Sequence, residues 1–116
     1  MGMFMSRRVE VVEATDAIGA SGATVLLDVR NQDEWDAGHA PGAKFCPLPQ
    51  LETMRFQLPM NQQIICICRS GVRSEKAAAE LVNMGFKAVN MTGGMKEWAA
   101  QGGPVVKDDG SPGTVI

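Results

Sequence analysis

The stretch that most constrains the fold is IICICRSGVRSEKAAAELVNM, residues 64–84. Ile64, Ile65, Cys66 and Ile67 form an unbroken apolar run, as expected of a strand covered on both faces. Cys68 to Arg73 reads as a short loop rich in hydrogen-bond donors. A helix is predicted from Ser74 to Met84, stopped by Gly85. On that helix Ala77, Ala78, Leu81 and Met84 share an apolar face, while Glu75, Lys76, Glu80 and Asn83 face water. The unit is therefore buried strand, tight turn and helix, with a cysteine where the strand ends.

That arrangement favours one kind of chemistry. A helix N-terminus presents unpaired N–H groups and a partial positive charge. A loop curling into it can aim several amides at one point and so hold an anion. Cys68 would lie on the floor of that loop with Arg69 and Arg73 nearby. Each influence favours thiolate over thiol and lowers the pKa from its ordinary value of roughly 8.5. The expectation is a reactive thiolate beneath a pocket for an oxyanion-bearing substrate. Buried cysteines more often serve as small hydrophobes. That reading suits Cys66, inside the apolar run, and not Cys68, which Arg-Ser-Gly-Val-Arg-Ser follows.

The rest of the chain alternates strand and helix. Residues 9–12 read as a first strand, followed by a short helix capped by Thr15 or Asp16 and ended by Ser21-Gly22. Residues 24–29 (TVLLDV) form a second buried strand, with Asp28 and Arg30 at its C-terminal end. In open α/β sheets the ligand crevice lies outside the carboxyl ends of the strands. Asp28 and Arg30 could therefore share a rim with Cys68, although loop-holding hydrogen bonds are the stronger reading. A helical turn over 33–37, capped by Asn31 or Asp33, precedes an irregular link through Gly38, Pro41 and Gly42. A short strand over 43–46, a helix near 50–55 and a polar turn over 58–63 lead to the central unit. A fifth strand spans Phe86 and 88–91, and Gly93-Gly94 turn into a last helix over 95–100. Trp98 is expected as core beneath the active-site side. The alternation predicts a mostly parallel five-stranded sheet with helices on both faces.

Four stretches together resemble the rhodanese (thiosulfate sulfurtransferase) family. Cys68-Arg69-Ser70-Gly71-Val72-Arg73-Ser74 resembles its active-site loop, and Asp28-Val29-Arg30 its Asp-x-Arg strand. Glu34-Trp35-Asp36-Ala37-Gly38-His39-Ala40-Pro41-Gly42-Ala43 resembles its Gly-His segment. Gly93-Gly94-Met95-Lys96-Glu97-Trp98 resembles its C-terminal helix motif. The likeness runs over about residues 9–106, in order and in register. It implies a rhodanese-like α/β domain over 9–106, with flexible ends at 1–8 and 107–116. It also implies that His39 is a scaffold element, and that Cys46 is a buried thiol where many relatives carry an aliphatic residue. A resolving role for Cys46 or Cys66 is conceivable, although a direct Cys66–Cys68 bridge suits strand geometry poorly.

The resemblance further implies sulfur transfer. Cys68 would be the nucleophile and carry the sulfur as a persulfide, with no other cofactor. The backbone of Arg69, Ser70, Gly71, Val72, Arg73 and Ser74 would form the substrate loop. Arg73, with Arg69, would orient the oxyanion of a thiosulfate-like donor. Asp28 and Arg30 would support the pocket, and the acceptor would be cyanide, a thiol or a protein cysteine. Two other readings compete. A Cys-based phosphatase or arsenate reductase would use a Cys-x5-Arg loop, but Cys68 and Arg73 have four residues between them. A non-catalytic binding or redox-sensing module would have Cys68 oxidised without turnover.

Composition narrows the classes. A net charge of −2 with no basic stripe argues against nucleic acid. No apolar run has the length of a membrane span. Three cysteines and no secretory signal point to a reducing, cytoplasmic setting. Residues 1–6 fit the short and common N-myristoylation pattern, which a plain start explains as well. His39 is the sole histidine, and Cys66-x-Cys68 is not a usual zinc knuckle, so no metal site is expected. The eight methionines read as core filler.

Overall fold

The computed structural model describes residues 9–20 and 24–116. The expectations for 1–8 and for a helix stop at Ser21-Gly22 lie outside the described residues. The elements are β1 (Glu10–Val12), α1 (Ala14–Ile18), β2 (Thr24–Asp28), α2 (Gln32–Ala37), β3 (Lys44–Phe45), α3 (Leu51–Met54), β4 (Gln63–Ile67), α4 (Val72–Asn83), β5 (Lys87–Met91) and α5 (Gly94–Ala100).

Apolar runs too long to alternate build a sheet buried on both faces. The five strands run parallel in the order β1-β5-β4-β2-β3, with β4 at the centre. Because side chains alternate along a strand, β4 divides its residues between two cores. Ile64 and Cys66 pack with Leu27, Leu51, Ala77, Ala78 and Leu81, on the face covered by α3 and α4. Ile65 and Ile67 pack with Ala14, Ala17, Met91, Met95 and Trp98, on the face covered by α1 and α5. Asp28 pairs with Ile67 in register, so β2 and β4 end side by side at one edge. Among the described residues no helix is long and apolar enough to cross a membrane.

Several local boundaries differ from expectation. Helix α4 begins at Val72 rather than Ser74, because Gly71 takes a left-handed conformation (φ 105°) and turns the chain into the helix early. Val72 and Arg73 are thus first-turn residues, not loop. Helix α1 follows Glu13 in extended conformation, so Thr15 and Asp16 lie inside it rather than capping it. The third strand is confined to Lys44–Phe45. The helix near 50–55 is α-helical only over Leu51–Met54, flanked by 3-10 turns. Trp98 is core, but on the α1–α5 face, away from the cluster that holds Cys68.

The largest correction concerns residues 107–116, expected as a flexible tail from their Gly, Pro and Asp content. They fold back on the domain. Val106 pairs with His39 through both backbone bonds (2.8 and 2.9 Å), and Thr114 N–H donates to Ala37 O (2.9 Å). Asp108 Oδ1 accepts from Trp35 Nε1 (3.2 Å) and lies 2.9 Å from His39 Nε2. Partners some seventy residues away, together with a local turn in which Lys107 N–H donates to Ser111 O (2.8 Å), order this segment.

Candidate active site

The site begins where β4 stops. Cys68 follows Ile67 and is 1 % exposed. The first turn of α5 holds the loop from below: Met95 N–H donates to Cys68 O (2.7 Å) and Lys96 N–H to Arg69 O (3.1 Å). This close approach requires Gly94, since any side chain there would overlap Cys68 O and the Arg69 backbone. With those carbonyls engaged by α5, the amide side of the loop turns toward the sulfur. Gly71 N–H lies 3.1 Å from Cys68 Sγ, and Ser74 Oγ lies 3.2 Å from it.

Electrostatics separate the three thiols. Burial pushes the Cys68 thiol up, but hydrogen bonds from the Ser74 hydroxyl and the amides of Ser74, Gly71 and Ser70 outweigh it, and the net shift is downward. Cys66, wholly enclosed, is pushed up to about 12, chiefly by burial. Burial also raises Cys46.

Charged pairs frame the loop. Arg73 closes a two-pronged ion pair on Glu34, Nη1 to Oε1 at 2.7 Å and Nη2 to Oε2 at 2.8 Å, tying α4 to α2. The Arg73 bond is the main reason the Glu34 carboxyl drops to about 2, and burial works against it. Asp28 and Arg30 form a second pair with no exposure at all. Arg30 Nη2 donates to Asp28 Oδ2 (2.6 Å) and to Gly38 O (2.8 Å). His39 stacks on Trp35 at 3.6 Å between ring centroids. Among the described residues no group of three or more His, Cys, Asp and Glu could hold a metal ion.

The rhodanese-like domain family matches residues 10–101. The chain belongs to this family. YrkF of Bacillus subtilis, named as a candidate sulfur carrier protein, is 40% identical over 77 residues, 66% of this chain. The match covers 42% of YrkF, so the chain spans less than half of that relative. A sulfurtransferase of Allochromatium vinosum is 32% identical over 87 residues, 74% of this chain and 81% of that protein. Among solved structures, a rhodanese-related protein from Thermoplasma volcanium has a TM-score of 0.80 at 29% identity, covering 84% of this chain and 97% of that one. A Rhodopseudomonas palustris protein of unknown function, with tyrosine phosphatase offered as a candidate activity, has a TM-score of 0.74 at 30% identity, covering 84% of each chain.

The rhodanese-like loop brings together Cys68, Ser70, Gly71 and Ser74, all of which touch the sulfur through backbone or side chain. Arg69 lies exposed at the rim, its Nε donating to Ile116 O (3.0 Å). Val72 is exposed at the start of α4. Arg73, expected to face a donor, commits both terminal nitrogens to Glu34. Asp28 and Arg30 sit beneath the surface and hold Gly38 rather than lining a rim. Sequence reasoning missed two participants. Glu34 was readable as a capping partner three residues after Asn31, whose N–H it accepts at 3.0 Å, but not as the partner of Arg73. Asn90 was legible only as one polar residue in the apolar strand β5, a pattern worth asking about.

Proposed function

We propose that this rhodanese-like domain transfers sulfane sulfur through a persulfide on Cys68. The observation that carries the reading is the set of donors converging on one sulfur whose thiol is shifted downward. Cys68 thiolate attacks the outer sulfur of a thiosulfate-like donor. The new S–S bond forms as the donor's own S–S bond breaks, and sulfite leaves with the electron pair. The product, a persulfide anion, keeps its negative charge under the same amides, which need not reorganise. Cyanide, a thiol or a protein cysteine then takes the terminal sulfur and returns the thiolate, splitting one transfer into two. Arg69 at the rim is the cation placed to meet an incoming sulfonate, and Arg73 acts through Glu34 to hold α4 and its loop in place.

The likeness to the Rhodopseudomonas palustris protein, a candidate tyrosine phosphatase, favours phosphate chemistry as the rival. Against it stand the four-residue spacing and an Arg73 fork closed on Glu34 rather than open over the loop. Intact mass after brief exposure to thiosulfate decides between them. The expected result is one added sulfur atom on the parent, none on Cys68→Ser, and its removal by cyanide. No gain in mass, together with turnover of an aryl phosphate, would overturn the proposal.

A further inference from the structure

The mechanism above leaves one buried polar group without a task. Asn90 lies on β5 opposite Cys66, 4 % exposed, on the α4 face of the sheet. Its Nδ2 donates to Gly71 O (3.1 Å), and its Oδ1 accepts from Ser74 Oγ (2.6 Å). The orientation of the amide is dictated by chemistry. A carbonyl can only accept, so nitrogen must face Gly71 and oxygen must face Ser74.

Ser74 then faces a conflict. It has one hydroxyl hydrogen and two neighbours, Asn90 Oδ1 at 2.6 Å and Cys68 Sγ at 3.2 Å. While the hydrogen points to Asn90, Ser74 offers only lone pairs to the sulfur, which suits a thiol that donates. Once the sulfur is an anion it needs a donor, and a charge-assisted bond is the stronger one. The hydrogen must then swing from Asn90 to the sulfur.

We propose that Asn90 is a positioning residue that directs the single hydroxyl hydrogen of Ser74, so that Ser74 accepts from the Cys68 thiol and donates to the same sulfur once it is a thiolate or persulfide. The thiol proton leaves to water, and no bond to a heavy atom changes. Asn90 thereby competes with the sulfur anion for one hydrogen and holds back ionisation of the thiol, while Gly71 and the loop amides favour the anion. The inference builds on Cys68 as the sulfur carrier but is tested by titration, without sulfur transfer, so the two can fail separately.

The test is the pH profile of iodoacetamide alkylation at Cys68, followed by mass spectrometry, in the parent, Asn90→Leu, Ser74→Ala and the double variant. Leucine keeps the branched shape of asparagine and removes its acceptor. Asn90→Leu should lower the midpoint by about half a pH unit, about threefold in the thiolate-to-thiol ratio, the scale of one net hydrogen bond. Ser74→Ala should raise it, and adding Asn90→Leu to Ser74→Ala should change nothing more. A raised or unmoved midpoint in Asn90→Leu, or equal displacement in both backgrounds, would overturn the proposal, because Asn90 would then act only through Gly71. Should leucine disturb folding, the Asn90 side-chain carbonyl 13C resonance gives the same answer in the native sequence. It should titrate with Cys68 and stop doing so in Ser74→Ala, and a response that persists there sinks the idea.

Discussion

The strands β2 and β4 lie side by side and end at the same edge, yet they finish in opposite ways. After β2, the Asp28 carboxylate meets the Arg30 guanidinium within two residues, and both are sealed from water. After β4, Cys68 meets a hydroxyl and amides from the loop and the first turn of α4, with the Arg73 guanidinium acting on it only through space. A charge satisfied by an equal charge becomes scaffold. A sulfur held by a hydroxyl and amides is favoured as an anion without being closed into an ion pair.

The sharpest break in that contrast comes from Cys68→Ser. Persulfide formation should fall to background while the melting temperature stays within a few degrees of the parent. An active serine variant would end the case for Cys68. At the end of β2 the effect should reverse, with stability lost first. Arg30→Met or Asp28→Asn leaves one buried charge unpaired and should cost about 3–5 kcal/mol in urea unfolding. Replacing both partners should cost less than the sum of the two, and simple additivity would show that the pair is not coupled.

The Glu34–Arg73 pair lies between the extremes, buried on one side and half-exposed on the other. The Glu34 carboxyl sits at about 2 in the fold against an ordinary 4.5. A lowered pKa means the unfolded chain binds the proton first, so the pair's contribution is full above about 4.5 and fades as pH falls toward about 2. Acid unfolding of Glu34→Gln should lack this component between those values; an unchanged acid limb would remove the pair from the stability balance. Arg73→Ala and Glu34→Ala should also raise the KM for thiosulfate equally, if both act by placing α4. A much larger rise in Arg73→Ala would mean that the arginine touches the donor itself. The smallest effect belongs to Asp108→Ala, which removes the side-chain link from residues 107–116 to Trp35 and His39. A loss of about 0.5–1.5 kcal/mol is expected, with an unaltered alkylation midpoint at Cys68. A shifted midpoint would tie the segment to the site.

What could be read from the sequence follows the range of each interaction. The parallel sheet, the contrast between enclosed Cys66 and Cys68 at the strand end, and the strand-loop-helix unit rest on patterns within about twenty residues. The turn at Gly71 was misplaced because Ser74 looks like a helix start, whereas a left-handed glycine lets Val72 and Arg73 enter the helix. The partnerships of Arg73 with Glu34, Ser74 with Asn90 and Asp108 with His39 join residues 39, 16 and 69 positions apart. No local periodicity encodes such pairs. The order of residues 107–116 was invisible for the same reason, since their composition describes only what they do alone.

The place of β5 in the sheet has a consequence for the order of assembly. It inserts between β1 and β4, although it is the last strand in the chain. Until β5 and α5 arrive, Cys68 has neither Asn90 beside its serine nor the amides of Met95 and Lys96 beneath its loop. A peptide of residues 68–74, or a chain halted before residue 87, therefore has the sulfur's donors in its sequence but not the α5 amides that hold the loop around it. The geometry around Cys68 is thus a property of the completed domain, since its backing comes from the last strand and the last helix.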